Sequence, residues 1–383
     1  MADGASSLRI ANMLSSDGPG GAEVMMLRLS EQLRANGHTV VPVSVAGGVG
    51  WLGDQYERIG FHLEEIRFTR SWFDRVFLGD VLKVLRSHSV EVVHSHEFEM
   101  AFYGALACRL LGLPHVITMH GGLTVWKAWQ RRVALRWAIR NSSATYVVSE
   151  ATREQFSRDL SVPIERLAVI RNGVPVRQGD AAPIRAEFGF TPDDVVILAV
   201  GNLERNKGHR ELLQALNEIT RSGAVSSWRL IIAGGRGGPE HEYLAAYIQD
   251  NALGDRVHIA LQRTDIPNLQ AAADVFVMPS LWEGLPMALL EGMAAGNAVV
   301  ASKTGGIPEA VADGQEGLLV PPGDVPALTV ALRRLLVDTE YRRSLADAAR
   351  KRALAEFTVE VMSQRYEDAY RQAISGRRRA SRK

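Results

Sequence analysis

The sequence predicts an α/β protein made of two domains, each with a parallel sheet covered by helices. Three observations support this prediction. The chain has 383 residues, whereas a single hydrophobic core stops growing at about 250–300 residues. Short apolar runs alternate with helix-length amphipathic runs in both halves of the chain, a pattern typical of parallel sheets. One stretch rich in proline and glycine separates the two halves.

Apolar runs in the first half predict five strands, and two amphipathic runs predict helices. The predicted strands cover residues 8–13, 39–45, 90–94, 115–119 and 145–148. The predicted helices cover 22–36, which Gly37 ends, and 101–111. This alternation predicts a first Rossmann-like domain over residues 1–178.

The second half repeats the arrangement and predicts a second Rossmann-like domain over residues 190–358. Its predicted strands cover 195–200, 228–233, 257–260, 274–278 and 298–301, and its helices cover 208–222, 240–251 and 288–295. The proline- and glycine-rich segment 172–194 is the predicted linker. We expect a helix over about 359–375 to pack back on the first domain, before a disordered basic tail at 376–383.

Composition and charge exclude several classes of protein. Hydrophobic residues make up 46% and charged residues 23% of the chain, as in ordinary globular proteins. The 44 basic and 43 acidic residues leave a net charge of +1, which argues against nucleic acid as a partner. The single cysteine, Cys108, excludes a disulfide scaffold. Neither a signal peptide nor an apolar run of about eighteen residues is present, so we expect a cytoplasmic protein.

Chemically distinctive residues follow the predicted strands of the first half. Gly20 and Gly21 lie between a strand and a helix, where backbone N–H groups and the helix dipole favour an anion; a simple turn has the same pattern. His120 follows a strand, a position where a histidine is more often structural than catalytic. His94 and His96 suggest a metal pair, but no third spaced ligand accompanies them, so we favour packing and support of neighbouring residues.

Two further sets of charged residues follow strands of the second half. Arg205 and Lys207 lie in a loop that opens a helix, where cations would balance a diphosphate or simply be solvated. Glu283 lies in a loop, and Glu291 interrupts the apolar helical run that follows. A buried carboxylate is costly unless it is paired. Sugar hydroxyls and an internal salt bridge are both suitable partners for Glu291.

Seven motifs carry a resemblance to a known family. They are GGAE at 20–23, HSHE at 94–97, TMHGG at 118–122, VVSE at 147–150, RNGV at 171–174, GNLERNKG at 201–208 and PSLWEGLPMALLEGMAAGNAVVASKTGGIPEAVADGQEGLLVPPGD at 279–324. On these motifs the chain resembles glycosyltransferase family 4, whose members are retaining transferases with an E-x7-E pair. The resemblance implies the GT-B fold, in which two Rossmann-like domains face a central cleft.

The resemblance also implies roles for individual residues. Glu291 would bind the nucleotide ribose, and Glu283 would lie beside the donor sugar. Lys207 would bind the diphosphate together with Arg205 or Asn202, since Asn202 occupies the position of the family's usual arginine. The implied catalytic residues are His120, Glu283 and Lys207, and the other implied donor-binding positions are Gly20, Gly21, Arg263, Gly284 and Leu285.

The function implied by the resemblance is transfer of a sugar from a UDP- or GDP-linked donor to a hydroxyl of a glycan or lipid-linked acceptor. An α-linked product, a place in cell-surface polysaccharide or glycolipid synthesis, and no obligatory metal are expected with it. Two other functions remain open on the same fold. One is an epimerase or hydrolase acting on nucleotide sugars, and the other is a non-catalytic nucleotide-sugar-binding partner.

The segment 126–140 predicts an amphipathic helix with a charge of +5 and no acidic residue. Trp129, Val133 and Trp137 share one face of this helix, and Arg132, Arg136 and Arg140 form an adjacent stripe. Such helices can lie on an anionic membrane surface. Packing of the tryptophans on the first domain is the favoured alternative for those residues, whereas the arginines suggest weak, salt-sensitive contact with the inner membrane face.

Overall fold

The computed structural model describes residues 6–48, 50–68, 73–121, 129–223, 225, 227–235 and 237–380. The chain divides into two compact units. The first unit is Met1–Gly173 together with Val359–Lys383, and the second is Val174–Thr358. Each unit has the α/β architecture predicted from the sequence.

The first unit contains a seven-stranded sheet in the order β3-β2-β1-β4-β5-β6-β7, and every neighbouring pair of strands is parallel. Its strands are β1 (Arg9–Met13), β2 (Thr39–Val45), β3 (Glu64–Ile66), β4 (Val92–His96), β5 (His115–Met119), β6 (Ala144–Val147) and β7 (Leu167–Val169). Its helices are α1 (Gly21–Ala35), α2 (Trp51–Arg58), α3 (Arg75–Ser87), α4 (Glu97–Leu111), α5 (Trp129–Asn141), α6 (Glu150–Leu160) and the terminal α15 (Val359–Ala380).

The second unit contains a six-stranded parallel sheet in the order β10-β9-β8-β11-β12-β13. Its strands are β8 (Val195–Val200), β9 (Trp228–Ala233), β10 (Val257–Ala260), β11 (Val275–Met278), β12 (Ala298–Ser302) and β13 (Gly317–Val320). Its helices are α7 (Ala181–Glu187), α8 (His209–Ser222), α9 (Pro239–Asp250), α10 (Ile266–Ala272), α11 (Met287–Ala295), α12 (Ile307–Ala310), α13 (Val325–Val337) and α14 (Thr339–Glu356). In both sheets the order of the strands reverses beside the first strand, between β1 and β4 and between β8 and β11, as in Rossmann folds. Ligands are expected at the carboxyl ends of the strands there.

The boundary between the units differs from the predicted one. It falls after Gly173, and most of the predicted linker 172–194 belongs to the second unit. The main-chain N–H of Val174 donates to the carbonyl of Phe357. Helix α7 lies within the predicted linker, and Asp180 and Arg185 hydrogen-bond to α10. The segment is therefore anchored by backbone and side-chain hydrogen bonds that its proline and glycine content did not reveal.

Helix α15 packs on the first unit through two tyrosines. The hydroxyl of Tyr370 lies 2.8 Å from Nδ1 of His94, and the hydroxyl of Tyr366 lies 3.0 Å from Oγ1 of Thr118. Both tyrosine side chains are fully buried. The predicted disordered tail is wrong as far as Ala380, because α15 continues to that residue. The guanidinium of Arg377 donates to the carbonyl of Leu113, which ties this part of the helix to the unit.

Only part of the predicted apolar face of α5 is buried. Leu135, Ala138 and Ile139 are in the core, and Trp137 packs edge-on against Phe102 with ring centroids 6.0 Å apart. Trp129 is 69% exposed and Val133 is 53% exposed, so the expectation that the tryptophans pack on this domain is wrong for Trp129. Hydrophobic periodicity placed these residues on one face, but α4 covers only the Trp137 end of it. The predicted residues 126–128 lie outside the described part of the chain.

Within the described residues, no helix is both long and apolar enough to cross a membrane. Cys108 is a buried free thiol in the core beneath α4, as predicted.

Replacing Tyr370 with Phe is expected to destabilise the first unit. The buried Nδ1 of His94 would lose its hydrogen-bond partner, which typically costs about 1–3 kcal/mol. We expect Tyr370→Phe to lower the midpoint of thermal unfolding, whereas Tyr243→Phe, at an exposed position, should leave it unchanged. Equal midpoints for Tyr370→Phe and the unmodified protein would contradict the importance of this contact.

Candidate functional site

The carboxyl end of β8 carries the first part of the candidate site. Residues 201–208 leave the strand, form a single 3-10 turn at Arg205–Lys207 and enter α8. Gly208 has φ +72°, and a Cβ there would lie 1.9 Å from the carbonyl oxygen of Pro279. Only glycine permits this backbone conformation together with such a close contact.

The loop between β11 and α11 contacts this turn directly. The main-chain N–H of Leu281 donates to the carbonyl of Asn206 at 2.7 Å. The contact exists because β8 and β11 are neighbours in the sheet, so the loops that follow them leave from adjacent strand ends. Residues 75 positions apart in the sequence are thereby joined by a backbone hydrogen bond.

An ion pair lies at this contact. Nζ of Lys207 is 2.8 Å from Oε1 of Glu283, and the hydroxyl of Ser280 donates to the same oxygen at 2.8 Å. Glu283 is only 8% exposed. A Cβ on Gly305, which has φ +51°, would lie 1.7 Å from the carbonyl oxygen of Glu283. The loop after β12 thus packs directly against the main chain of Glu283 and fixes the position of this residue.

Glu291 lies on α11, eight residues after Glu283 as the motif requires. The side chain is half-buried and not fully buried, and it shares the partly exposed face of α11 with Ala288 and Ala295. The apolar residues around Glu291 pack inward, whereas the small side chains of Ala288 and Ala295 leave the face of α11 that carries Glu291 partly exposed. Gly284 and Leu285 are buried at the start of this segment, where the carbonyl of Gly284 accepts from the N–H of Gly306 at 2.6 Å.

Arg205 and Asn202 lie in the same loop as Lys207 but have other partners. The guanidinium of Arg205 forms an ion pair with Glu211 of α8, with hydrogen bonds of 3.0 and 2.5 Å. The side-chain amide of Asn202 is 3.5 Å from Glu204, which is a long hydrogen bond. The structure therefore brings Lys207, but not Arg205, to the Glu283 carboxylate.

Arg263 lies farther along the edge of the same sheet. It follows β10, the edge strand, which β9 separates from β8. Its guanidinium bonds to the carboxylates of Glu187 and Asp265 at 2.6 and 2.7 Å, and these hydrogen bonds raise the pKa of Arg263. The structure does not bring it into the Lys207–Glu283 group.

In the first unit, Gly20 and Gly21 connect β1 to α1, and Gly20 is the residue before the helix. A Cβ on Gly20 would lie 2.4 Å from Oε2 of Glu23. The carboxylate of Glu23, in the first turn of α1, therefore lies against this glycine. An acidic side chain near the positive end of a helix stabilises the helix.

His120 follows β5, next to β4 in the same sheet. Its Nε2 lies 2.9 Å from Nδ1 of His96, and its main-chain N–H donates to Glu97 at 3.1 Å. Burial lowers the pKa of His120 to about 4 and raises the pKa of the Glu97 carboxyl to about 7. The imidazole of His120 is therefore neutral at physiological pH.

Both ring nitrogens of His94 and of His96 are hydrogen-bonded within the protein. His94 contacts Tyr370 and Thr118, and His96 contacts His120 and Asn12, all within 2.9 Å. The structure thus shows packing for His94 and direct support of His120 by His96. In the part of the chain that the structure describes, no group of three or more His, Cys, Asp or Glu side chains is arranged to hold a metal ion.

Sequence reasoning missed four residues that shape these groups. Ser280 and Gly305 hold Glu283, and Asn12 and Glu97 contact the His96–His120 pair. Asn12 was detectable as a polar residue inside the apolar run of β1, and Gly305 as part of a double glycine after a strand. Ser280 lies in the family motif that begins at Pro279 and Glu97 in the motif at 94–97, but the motifs did not single out these two side chains.

Two family models match consecutive parts of the chain. Residues 19–178 match the model described as Glycosyltransferase Family 4, and residues 180–352 match the model described as Glycosyl transferases group 1.

Similar proteins include enzymes with different named products. Alpha-maltose-1-phosphate synthase of Mycolicibacterium smegmatis is 32% identical over 320 residues, covering 76% of this chain and 82% of that protein. N-acetyl-alpha-D-glucosaminyl L-malate synthase of Bacillus anthracis is 24% identical, covering 92% of this chain and 93% of that protein. UDP-Gal:alpha-D-GlcNAc-diphosphoundecaprenol alpha-1,3-galactosyltransferase of Escherichia coli is 26% identical, covering 78% of this chain and 79% of that protein.

Solved structures share the fold. A glycosyltransferase from Rickettsia africae superposes with a TM-score of 0.84 at 18% identity, covering 97% of this chain and 99% of that chain. HepE of Anabaena, solved in complex with UDP-glucose, superposes with a TM-score of 0.81 at 23% identity, covering 94% and 99%. With the E-x7-E pair and the loops around it, these matches show that the chain belongs to glycosyltransferase family 4.

Proposed function

We propose that this glycosyltransferase is a retaining hexosyltransferase that uses a nucleoside-diphosphate sugar. It forms an α-glycosidic bond to a hydroxyl of a glycan or lipid-linked acceptor, in the synthesis of a cell-surface polysaccharide or glycolipid. The observation that carries the proposal is the Lys207–Glu283 pair at the carboxyl end of the second sheet, with Glu291 on the helix that follows the Glu283 loop.

Lys207 is proposed to neutralise the leaving diphosphate. Negative charge grows on the diphosphate as the bond to the sugar breaks, so a fixed cation stabilises the transition state more than the ground state. In the structure Glu283 and the loop contacts hold the ammonium group of Lys207. Because a lysine supplies the positive charge here, the proposal includes no obligatory metal ion.

The two glutamates are proposed to bind opposite ends of the donor. Glu291 accepts hydrogen bonds from the ribose hydroxyls, for which its half-buried position on α11 leaves room. Glu283 lies beside the donor sugar and is held by Ser280 and Lys207. A UDP- or GDP-linked donor is proposed; the Anabaena HepE structures with UDP and UDP-glucose support the uridine alternative.

A lipid-linked acceptor, as proposed here, would be found at a membrane. We therefore propose that the protein attaches weakly to the inner membrane face through α5. Trp129 and Val133 are exposed on this helix, beside Arg136 and Arg140. The helix contains four arginines and no acidic residue. Arg131 lies 3.6 Å from Glu99, which offsets part of its charge. Arg132 donates to the main-chain carbonyl of Asp159 and keeps its charge, so Arg132, Arg136 and Arg140 are the proposed electrostatic contributors.

Lys207→Ala is expected to lower kcat by about 10²–10³-fold, the range typical of losing one hydrogen-bond donor to an oxyanion that develops in the transition state. The affinity for the donor should change much less, because the cation acts mainly as charge develops. Lys207→Arg should retain part of the activity, and Lys351→Ala, an exposed lysine on α14, serves as the control. Steady-state kinetics and donor titration measure both quantities, with EDTA present to test the metal-free proposal. Reduced affinity with unchanged kcat, or loss of activity in EDTA that added metal restores, would overturn it.

Glu291→Ala is expected to weaken donor binding by about 10- to 100-fold. Losing a charged hydrogen-bond acceptor typically costs about 1.5–3 kcal/mol, and about 1.4 kcal/mol corresponds to a factor of ten. Calorimetric titration of the folded variant measures the change. Glu340→Ala, at an exposed position in the first turn of α14, controls for the loss of one charge. Donor affinity equal to that of the control would remove Glu291 from the binding site.

Membrane attachment is tested by sedimentation with vesicles of phosphatidylglycerol and phosphatidylcholine. Binding should appear with the anionic lipid, fade at high salt, and fall when Arg132, Arg136 and Arg140 are replaced by Gln. Replacing Arg333, Arg343 and Arg350 with Gln removes the same charge from exposed positions of the second unit and should leave binding intact. Protein that stays in the supernatant at low salt would indicate an acceptor that is not presented at a membrane.

A further inference from the structure

A row of hydrogen bonds runs inward from His120 across three neighbouring strands of the first sheet. Nε2 of His120 lies 2.9 Å from Nδ1 of His96, the last residue of β4. Nε2 of His96 lies 2.7 Å from Oδ1 of Asn12 in β1. Nδ2 of Asn12 donates to the hydroxyl of Ser30 at 2.9 Å. The row ends at Tyr56, whose hydroxyl is 2.9 Å from that of Ser30.

The backbone of α1 determines the orientation of the Asn12 side chain. Nδ2 of Asn12 lies 3.4 Å from the carbonyl oxygen of Met26. A carbonyl oxygen can only accept a hydrogen bond, so the nitrogen of the amide must face it. The amide oxygen of Asn12 then faces His96. Because an amide oxygen also only accepts, His96 must carry a proton on Nε2.

The position of this proton determines the next one. A neutral imidazole with its proton on Nε2 has a lone pair on Nδ1. Nδ1 of His96 therefore accepts from His120, and the proton of His120 is on Nε2. Burial lowers the pKa of His96 well below its usual value and that of His120 to about 4. His120 is left with its lone pair on Nδ1.

The ionisable groups around His96 and His120 leave both imidazoles neutral, with these proton positions, near neutral pH. The His94 ring lies with its centroid 4.1 Å from that of His96 and is also held neutral by burial. Glu97 binds the main-chain N–H of His120, and the charges of Glu23 and Glu99 help to raise its pKa. Burial raises the pKa of Tyr56, which ends the row, above the usual range. Tyr366 and Tyr370 lie against His94, and burial raises their pKa values too. His115 bonds to Ser95 of β4, and burial lowers its pKa to about 3.

We propose that Asn12 and His96 are positioning residues that hold His120 with its proton on Nε2, so that Nδ1 can only accept a hydrogen bond from a hydroxyl of the donor sugar. This inference rests on the proposed function of His120. A neutral acceptor draws electron density toward the sugar, which becomes positively charged as the diphosphate leaves. A donor or a cation at the same place would oppose that charge.

The proton positions are tested in the full-length protein without ligand. Two-bond ¹H–¹⁵N NMR of histidine-labelled protein distinguishes the two tautomers and the cation, and His96→Gln and His120→Gln assign the signals. Both residues should show a protonated Nε2, and neither ring should titrate between about pH 5.5 and 8. A proton on Nδ1 of His120, or titration of His120 near its usual pKa of about 6.5, would overturn the proposal.

Asn12→Asp changes the tautomer without touching His120. A carboxylate beside Nε2 of His96 favours the imidazolium, which donates from both nitrogens. Nε2 of His120 must then accept, and its proton moves to Nδ1. We expect this flip at pH values below the raised pKa of His96, with kcat reduced there, KM little changed, and kcat recovering as pH rises. Ser30→Ala is the matched control, because Ser30 contacts Nδ2 of Asn12 and not Oδ1. A proton that stays on Nε2 of His120 in Asn12→Asp, together with a pH profile of kcat equal to that of Ser30→Ala, would contradict the proposal.

The two arms separate this inference from the proposed function. A thermal-shift screen with UDP-glucose, UDP-galactose, UDP-N-acetylglucosamine and GDP-mannose selects the donor for the kinetic arm. If none of them stabilises the protein, the proposed function loses its support while the spectra still decide the proton positions. If Asn12→Asp does not fold, the unmodified protein's spectra decide them alone.

Discussion

The backbone contact between the β8–α8 loop and the β11–α11 loop sets the geometry of the charged groups in the second unit. Gly208 lies so close to Pro279 that no side chain fits between them, and the Leu281–Asn206 hydrogen bond joins the two loops. Lys207 can reach Glu283 because these main chains meet.

The same contact explains why Lys207 and Arg205 differ despite being two residues apart. The 3-10 turn directs Lys207 toward the β11–α11 loop and Arg205 toward Glu211 of α8. From the sequence of the loop alone, Arg205 and Lys207 are equivalent candidates to bind a diphosphate. The turn separates them into one that lies beside the Glu283 carboxylate and one whose charge is balanced on the adjoining helix.

The first unit is organised around buried polar groups that satisfy one another. His94, Ser95 and His96 are all fully buried at the end of β4, where unpaired polar atoms would be costly. Asn12, Thr118 and Tyr370 supply hydrogen-bond partners to the two histidines, and Tyr366 bonds to Thr118. Burial keeps the imidazoles uncharged, and the hydrogen bonds determine where their protons lie. The terminal helix is thus part of the first unit chemically as well as by packing.

The sequence by itself determined the fold class, the two-unit organisation, the family and the order of most strands along the chain. Hydrophobic periodicity and short motifs are local signals, and they identified Lys207, Glu283, Glu291 and His120 as candidates. Two of the ion-pair partners are distant in the sequence. Glu283 for Lys207 and Glu187 for Arg263 each lie 76 positions away, and they depend on which elements pack together. The exposure of Trp129 was also invisible, since periodicity groups residues on a face without saying what covers it.

Only the tertiary structure decided the boundary after Gly173, the continuation of α15 through its basic end and the proton positions around His120. Asn12 and His96 lie 84 positions apart in the sequence, and they meet because β1 and β4 are neighbours in the sheet. Strand order joins segments that no local pattern links. The sequence therefore named the candidate residues, and the parallel pairing of strands decided which of their atoms face one another.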